Sequence, residues 1–297
     1  MSVNIAGVIL KNPVVTASGT CGYGREYAPY YSPAELGAIT VKCITAKPRR
    51  GNPPPRVTET PGGMINAIGL QNPGADYFLK NELPALKQTG ATVIVNIAGS
   101  TPDEYAEVAG MLEGSDADMI EMNISCPNVK EGGIAFGTRP NLAEAVTAAV
   151  RKRTSKPLIV KLSPNVSDIT ELARAAESGG ADALSLINTL LGMRIDIKKR
   201  RPILANVTGG LSGPAIFPVA LRMVWQTRAV TALPIIGGGG ISSPSDAVEM
   251  LLAGADAVSV GTAQFADPLA PVKIRDGIRA FCEENSVVSV GELKAVR

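Results

Sequence analysis

Short apolar runs recur along the chain at regular intervals. They fall at Val14–Ala17, Ala38–Ile44, Thr92–Ile97, Ala117–Asn123, Leu158–Leu162, Ala183–Ile187, Pro234–Gly237 and Ala257–Val260. Each is rich in Val, Ile, Leu and Ala and rarely alternates with polar residues, the pattern of strands covered on both faces. Helix-period segments separate most of them, at about Gly74–Thr89, Pro102–Leu112, Asn141–Thr154, Asp168–Ser178, Pro214–Arg228 and Pro244–Leu252, with a terminal helix over about Pro271–Glu284. Thr101-Pro102-Asp103-Glu104 and Ser167-Asp168 supply helix caps and early acids. Gly179-Gly-Ala-Asp-Ala and Gly254-Ala-Asp-Ala resemble each other as helix-to-strand turns, so the βα unit repeats. Eight such units predict the α/β class, as a closed (β/α)8 TIM barrel rather than an open sheet. The reading is one domain over residues 1–297.

Two segments interrupt the rhythm. Val3–Asn12 reads as an N-terminal hairpin turning at Gly7. Residues 45–73 read as a long irregular loop, rich in Pro and Gly. A loop of that length in a compact domain is functional or disordered. The mixture of amides and small residues in Asn66-Ala-Ile-Gly-Leu70 points to function. Long inserted loops such as this one are expected at the C-terminal face of the barrel, where barrel enzymes place their chemistry.

Composition narrows the class. The 29 Lys and Arg against 27 Asp and Glu leave a net charge of +2, with no electrostatic footprint for nucleic acid or an acidic membrane. Lys47–Arg50 and Lys198–Arg201 are basic clusters and read as solvated loop charge. No apolar run reaches membrane-spanning length, and no signal-peptide pattern opens the chain. Four scattered cysteines fit a reducing cytoplasm better than a disulfide scaffold. The absence of histidine excludes Ser-His-Asp and Cys-His nucleophile systems and His-based zinc sites. No Cys-x-x-Cys occurs, so a chain-borne iron–sulfur cluster is not expected.

The candidate chemistry lies at the strand ends. Ser18, Lys42, Asn96, Asn123, Lys161, Asn188 and Thr189 form a polar ring. Lysines in apolar strands need a partner or a ligand, so Lys42 and Lys161 suit an anion. In the fourth strand Glu121, Asn123 and Ser125 face one way and Met122 and Ile124 the other, and the polar row runs to Cys126. Polar neighbours and a loop position mark Cys126 as a reactive thiol, while Cys43 and Cys282 read as small buried hydrophobes and Cys21 is ambiguous. Glycines 132, 133 and 137 suggest a lid over Ser125–Gly137. After the last two strands come Gly237-Gly-Gly-Gly-Ile-Ser-Ser243 and Ser259-Val-Gly-Thr262. Loops at these positions hold phosphate in barrels, with Gly239, Gly240, Gly261 and Thr262 as donors. No dinucleotide fingerprint is present, so a mononucleotide phosphate is expected.

Taken together, Asn12-Pro-Val-Val-Thr-Ala-Ser-Gly-Thr20, Lys42, Asn66-Ala-Ile-Gly-Leu-Gln-Asn72, Asn123-Ile-Ser-Cys-Pro-Asn128, Val160-Lys-Leu-Ser-Pro164, Asn188-Thr189 and the two glycine loops resemble the dihydroorotate dehydrogenases over essentially the whole chain. The resemblance implies an FMN barrel that oxidises dihydroorotate to orotate in pyrimidine biosynthesis, with Cys126 as the base. It implies FMN contacts from Ser18, Lys42, Cys43, Asn96, Asn123, Lys161, Ile187, Gly213, Gly239, Gly240, Gly261 and Thr262. It implies substrate contacts from Lys42, Asn66, Ala67, Ile68, Gly69, Leu70, Asn123, Asn188 and Thr189. Cys126, where membrane-associated members have serine, and the lack of an N-terminal extension are similar to the soluble class. The opening, including Gly22-Tyr-Gly-Arg-Glu-Tyr27, resembles the NAD-linked subtype. That subtype implies a partner subunit with FAD and a [2Fe-2S] cluster, in a heterotetramer of two of each chain. Readings left open are a related enzyme using another acceptor such as fumarate, another flavin barrel, a non-redox phosphate-binding barrel such as an aldolase with Lys161 as Schiff base, and an idle binding subunit.

Overall fold

The computed structural model describes residues 1–125 and 136–293. Eight parallel strands make the frame: β3 (Val14–Thr16), β4 (Ile39–Thr40), β7 (Val93–Ile97), β8 (Met119–Asn123), β9 (Leu158–Lys161), β10 (Ala183–Leu186), β15 (Ile235–Gly238) and β16 (Ala257–Val260). Each pairs with its neighbour in chain order. β16 returns to β3, Val258 opposite Val14. The Val15–Ala38 bridge joins the first strand to the run into the second and closes the barrel. The predicted strands are all present. The second is shorter than Ala38–Ile44, because beyond Thr40 the chain keeps one bridge, Ile44 to Ile97, and otherwise turns toward the cavity.

The barrel interior is filled in two ways. At its N-terminal end Val15, Ala38, Ile94, Met119, Ile159, Ala183, Ile236 and Ala257 form an apolar layer, all at most 2% exposed. The predicted hairpin, β1 (Val3–Ile5) with β2 (Val8–Leu10), presses Ile5 and Leu10 onto this layer. Its turn places Ala6 and Gly7 at positive φ, and Asn4 Oδ1 accepts from Gly7 N at 2.8 Å. The hairpin is thus a plug. Ile5→Ala is expected to lower unfolding free energy by about 2–5 kcal/mol, the usual cost of a large core truncation, read from denaturant melts.

The helices pack outside, and their caps follow the sequence. Thr101 Oγ1 accepts from Glu104 N at the head of Pro102–Glu113, and Asp168 Oδ1 accepts from Thr170 N at the head of Ile169–Ser178. Ser243 and Asp246 form a reciprocal capping box for Pro244–Leu252.

Residues 45–73 depart from the sequence reading. They are not without structure: β5 (Val57–Thr60) and β6 (Gly63–Asn66) form a hairpin. β6 also pairs with β14 (Thr208–Ser212), which pairs with β11 (Leu190–Met193). The result is a four-stranded antiparallel sheet over the C-terminal mouth. Its strands are short, two-residue-periodic and half exposed, and the surrounding prolines and glycines hide that weak alternation. A smaller ribbon, β12 (Ile195–Asp196) with β13 (Arg201–Pro202), extends the arm outward. Lys198–Arg201 sit exposed at its tip, as solvated charge should. Arg49 of the other basic cluster instead bonds Ser100 Oγ at 3.0 Å and Glu104 Oε2 at 3.1 Å.

Candidate active site

Between the barrel's C-terminal mouth and the antiparallel sheet lies a cavity of about 420 Å³, within the range of small-ligand and cofactor sites. Its two ends differ in chemistry. One end is backbone. Gly239 and Gly240 leave β15 at φ +121° and +81°. A Cβ on Gly239 would stand 2.9 Å from Ile187 Cγ1, and one on Gly240 would stand 2.7 Å from Phe217 N, the head of the helix Phe217–Arg228. Main chain therefore lines this pole in a way that only glycine allows, beside a helix N-terminus whose dipole favours an anion. Gly213, at φ +104°, Gly261 and Thr262 complete it, with Thr262 Oγ1 donating to Ser212 Oγ at 2.8 Å.

The other end is side chain. Asn123 Oδ1 accepts from Ser125 N at 3.2 Å, Ser125 Oγ at 3.1 Å and Asn188 Nδ2 at 3.3 Å. Asn188 Nδ2 also donates to Ser125 Oγ at 2.7 Å, and Asn188 Oδ1 accepts from Thr189 N at 2.8 Å. Tyr105 Oη donates to Asn123 O at 2.7 Å and pins the end of β8. The amides are thus oriented before any ligand arrives. Asn66, at the end of β6, donates to Gly210 O at 3.4 Å and is carried to the cavity by the antiparallel sheet. Glycine is required where that sheet crosses the ring, since a Cβ on Gly210 would lie 2.0 Å from Thr189 Oγ1. Ser18 Oγ donates to Val41 O at 2.9 Å and ties the first strand's loop to the run carrying Lys42.

The cavity gathers most of the expected residues. Ser18, Lys42, Cys43, Asn66, Ile68, Gly69, Leu70, Asn123, Lys161, Ile187, Asn188, Thr189, Gly213, Gly239, Gly240, Gly261 and Thr262 all line it. Two do not. Ala67 is wholly buried and its N donates to Arg56 O, so it shapes the loop from behind. Asn96 is wholly buried beneath the floor and reaches the cavity through Glu121, whose Oε1 accepts from Asn96 Nδ2 at 2.6 Å. Glu121 and Ser185 stand in the floor and were not among the expected site residues. Their signal was available: Glu121 begins the polar row of its strand, and Ser185 is the lone polar residue of an otherwise apolar one. Arg56 and Gln71, bonded to each other, also line the mouth; nothing in the irregular-looking sequence around them singled them out. Cys126, and with it the segment read as a lid from Ser125 to Gly137 apart from its ends, lies outside the described residues.

Cys21 is settled as a structural thiol. It is buried, its Sγ donates to Thr16 Oγ1 at 3.2 Å, and burial pushes its pKa up to about 12. Cys282 is likewise buried with its pKa raised by desolvation.

An eight-stranded parallel barrel with a glycine-lined backbone pole and a ring of oriented amides at its C-terminal mouth has the architecture of a barrel enzyme. The chain belongs to the dihydroorotate dehydrogenase family, whose sequence profile matches residues 1–282. It is 56% identical over 294 residues to the protein named dihydroorotate dehydrogenase B (NAD(+)), catalytic subunit, of Alkaliphilus metalliredigens, covering 99% of this chain and 97% of the relative. It is 58% identical over 294 residues to the protein of the same name from Pelobacter propionicus, again covering 99% and 97%. The Geotalea uraniireducens protein of that name is 57% identical over 294 residues, covering 99% and 96%.

Proposed function

We propose that this chain is the catalytic subunit of an NAD-linked dihydroorotate dehydrogenase, binding FMN and oxidising dihydroorotate to orotate. The observation that carries the proposal is the two-ended cavity: a backbone pole suited to a phosphate and a ring of preset amides suited to a pyrimidine, in a chain of this family. FMN fits the residues present. Its phosphate would be held by Gly239, Gly240, Gly261 and Thr262, and its ring system by Ser18, Asn123, Lys161, Ile187 and Gly213. Bound FMN supplies the acceptor for the hydride that leaves C6 of the substrate.

The chain's own residues supply the remaining functions. Asn66, Asn123, Asn188 and Thr189 present amide and hydroxyl groups to the ring edges of dihydroorotate. Lys42 offers a cation to the substrate carboxylate, and the lysine ammonium is a compact charge suited to that task. Cys126 takes the C5 proton. Lys161 stabilises the negative charge that develops on the ring system during turnover. The sheet β5–β6–β14–β11 roofs the site and limits water.

Electrons then leave for NAD through a partner subunit, for which FAD and a [2Fe-2S] cluster are the carriers. The supporting features are the mononucleotide-type phosphate pole among the described residues and the relatives' name as catalytic subunits of an NAD-linked enzyme. A heterotetramer of two of each chain is the proposed assembly, in the cytoplasm. No helix among the described residues is long and apolar enough to cross a membrane.

The test is the visible spectrum of the purified chain before and after anaerobic dihydroorotate. A yellow protein that bleaches, and is reoxidised by NAD only when the partner is added, is the expected result. A colourless protein that takes up no FMN would overturn the cofactor and return the phosphate-only barrels to first place.

A further inference from the structure

The floor of the cavity holds an acid that none of the roles above employs. Glu121 projects from the middle of β8 and is 4% exposed. Its oxygens are held from two neighbouring directions: Oε1 accepts from Asn96 Nδ2 on β7 at 2.6 Å, and Oε2 accepts from Ser185 Oγ on β10 at 2.7 Å. On β9, between them, stands Lys161, whose Nζ is 3.9 Å from Glu121 Oε1. Asn96, Glu121, Lys161 and Ser185 thus come from four adjacent strands, with Asn96 in register with Glu121 and Lys161 in register with Ser185. Each partner of the carboxylate among the described residues is a donor.

The distance to Lys161 matters. At 3.9 Å the charges attract strongly in a buried site, yet the separation is too long for a hydrogen bond. The ammonium is balanced without being captured, and its donors stay available to a ligand in the cavity it lines.

From this geometry we infer that Glu121 is a positioning residue that holds Lys161 in the floor and offsets its charge, keeping the reduction potential of the flavin low enough for onward transfer to a weak oxidant such as NAD. The inference rests on the FMN reading above. A flavin gains negative charge when reduced. A bare lysine lining the flavin's cavity would favour the reduced form, and a carboxylate beside that lysine would oppose the effect. The asparagine and serine hold the carboxylate in place, and its charge acts on the lysine and the flavin together.

Glu121→Gln tests this with the shape kept. Asn96 Oδ1 has no hydrogen-bond partner among the described residues, so the Asn96 amide can reverse and accept from the new Gln nitrogen. Ser185 can still donate to the Gln oxygen. The readout is the midpoint potential of FMN bound to the full chain, by spectroelectrochemical titration. Loss of the charge should raise it, with reduced flavin favoured over oxidised by at least tenfold, about 30 mV for a two-electron couple. NAD reduction by the complex should slow. Ser185→Ala keeps the charge and removes one donor, so its potential must not rise.

An unchanged potential in Glu121→Gln, or an equal rise in Ser185→Ala, overturns the inference. A wild-type chain that binds no FMN overturns the cofactor reading instead, so the two failures are distinct. Should Glu121→Gln not fold, the redox difference infrared spectrum of wild-type protein labelled with 13C-glutamate decides. A carboxylate band that moves on flavin reduction supports the assignment, and the absence of any labelled band refutes it.

Discussion

Cys126→Ala should slow the reduction of bound flavin by dihydroorotate by roughly 10²-fold or more, the usual scale for losing a positioned acid–base group. The effect belongs in the reductive half-reaction, measured by anaerobic stopped flow, because the substrate must lose a proton from C5 as hydride leaves C6. Orotate binding should change far less, since the contacts proposed for the ring are Asn66, Asn123, Asn188 and Thr189. The wild-type rate should also rise with pH toward the range where a free thiol ionises, near ~8.5, and that dependence should vanish in the Ala variant. Serine at the same position should restore part of the rate and shift the profile to higher pH, since a hydroxyl is a far weaker acid. Near-normal reduction in Cys126→Ala would sink the assignment.

Gly240→Val should cost roughly a hundredfold in FMN affinity and yield protein that purifies without flavin. The position needs φ +81°, and left-handed backbone at a non-glycine residue costs about 1–2 kcal/mol. The added Cβ would also stand 2.7 Å from Phe217 N and 2.9 Å from Gly213 O. Both are main-chain atoms, so relief requires moving the head of the helix or the Gly213 turn, which form the pole itself. A loss of about 2.8 kcal/mol corresponds to the hundredfold change at ~1.4 kcal/mol per decade. Fluorescence titration with FMN checks it, beside a thermal melt to show that the barrel persists. Wild-type affinity would mean that the phosphate lies elsewhere.

The two predictions draw on different kinds of evidence. The first rests on sequence: Cys126 follows the polar row of Glu121, Asn123 and Ser125, and the family resemblance implies the role of base for it. The second rests on structure, because the sequence shows four consecutive glycines without saying which is crowded. Gly237 packs against Met250 and Ala255, and Gly238 against Ser259. Both are barrel-strand glycines, buried. Only Gly239 and Gly240 turn into the cavity with positive φ.

The barrel itself was legible because its signals are local and repeated. Eight apolar runs, caps such as Thr101 and Asp168, and the paired Gly-Ala-Asp turns each act over a few residues. The polar ring was legible for a related reason: Lys161 or Asn123 at the end of an apolar strand has few bland explanations. The sheet over the mouth was not. β6 finds its partner in β14, with Asn66 opposite Gly210 across 144 residues of chain. Nothing within either segment announces the other.

The sequence by itself determined the fold class, the end of the barrel that carries the chemistry, and the residue types that meet there. Periodicity, capping and strand alternation depend on neighbours only a few positions away. Tertiary structure decided how those residues divide the work. It placed Asn96 and Ala67 behind the wall rather than on it, and it buried Cys21 so that its thiol stays protonated. It also set Glu121 beside Lys161. That last decision lay beyond the sequence because the two charges sit on adjacent strands separated by a full βα unit. Their distance, and so their balance, is fixed only when the barrel closes.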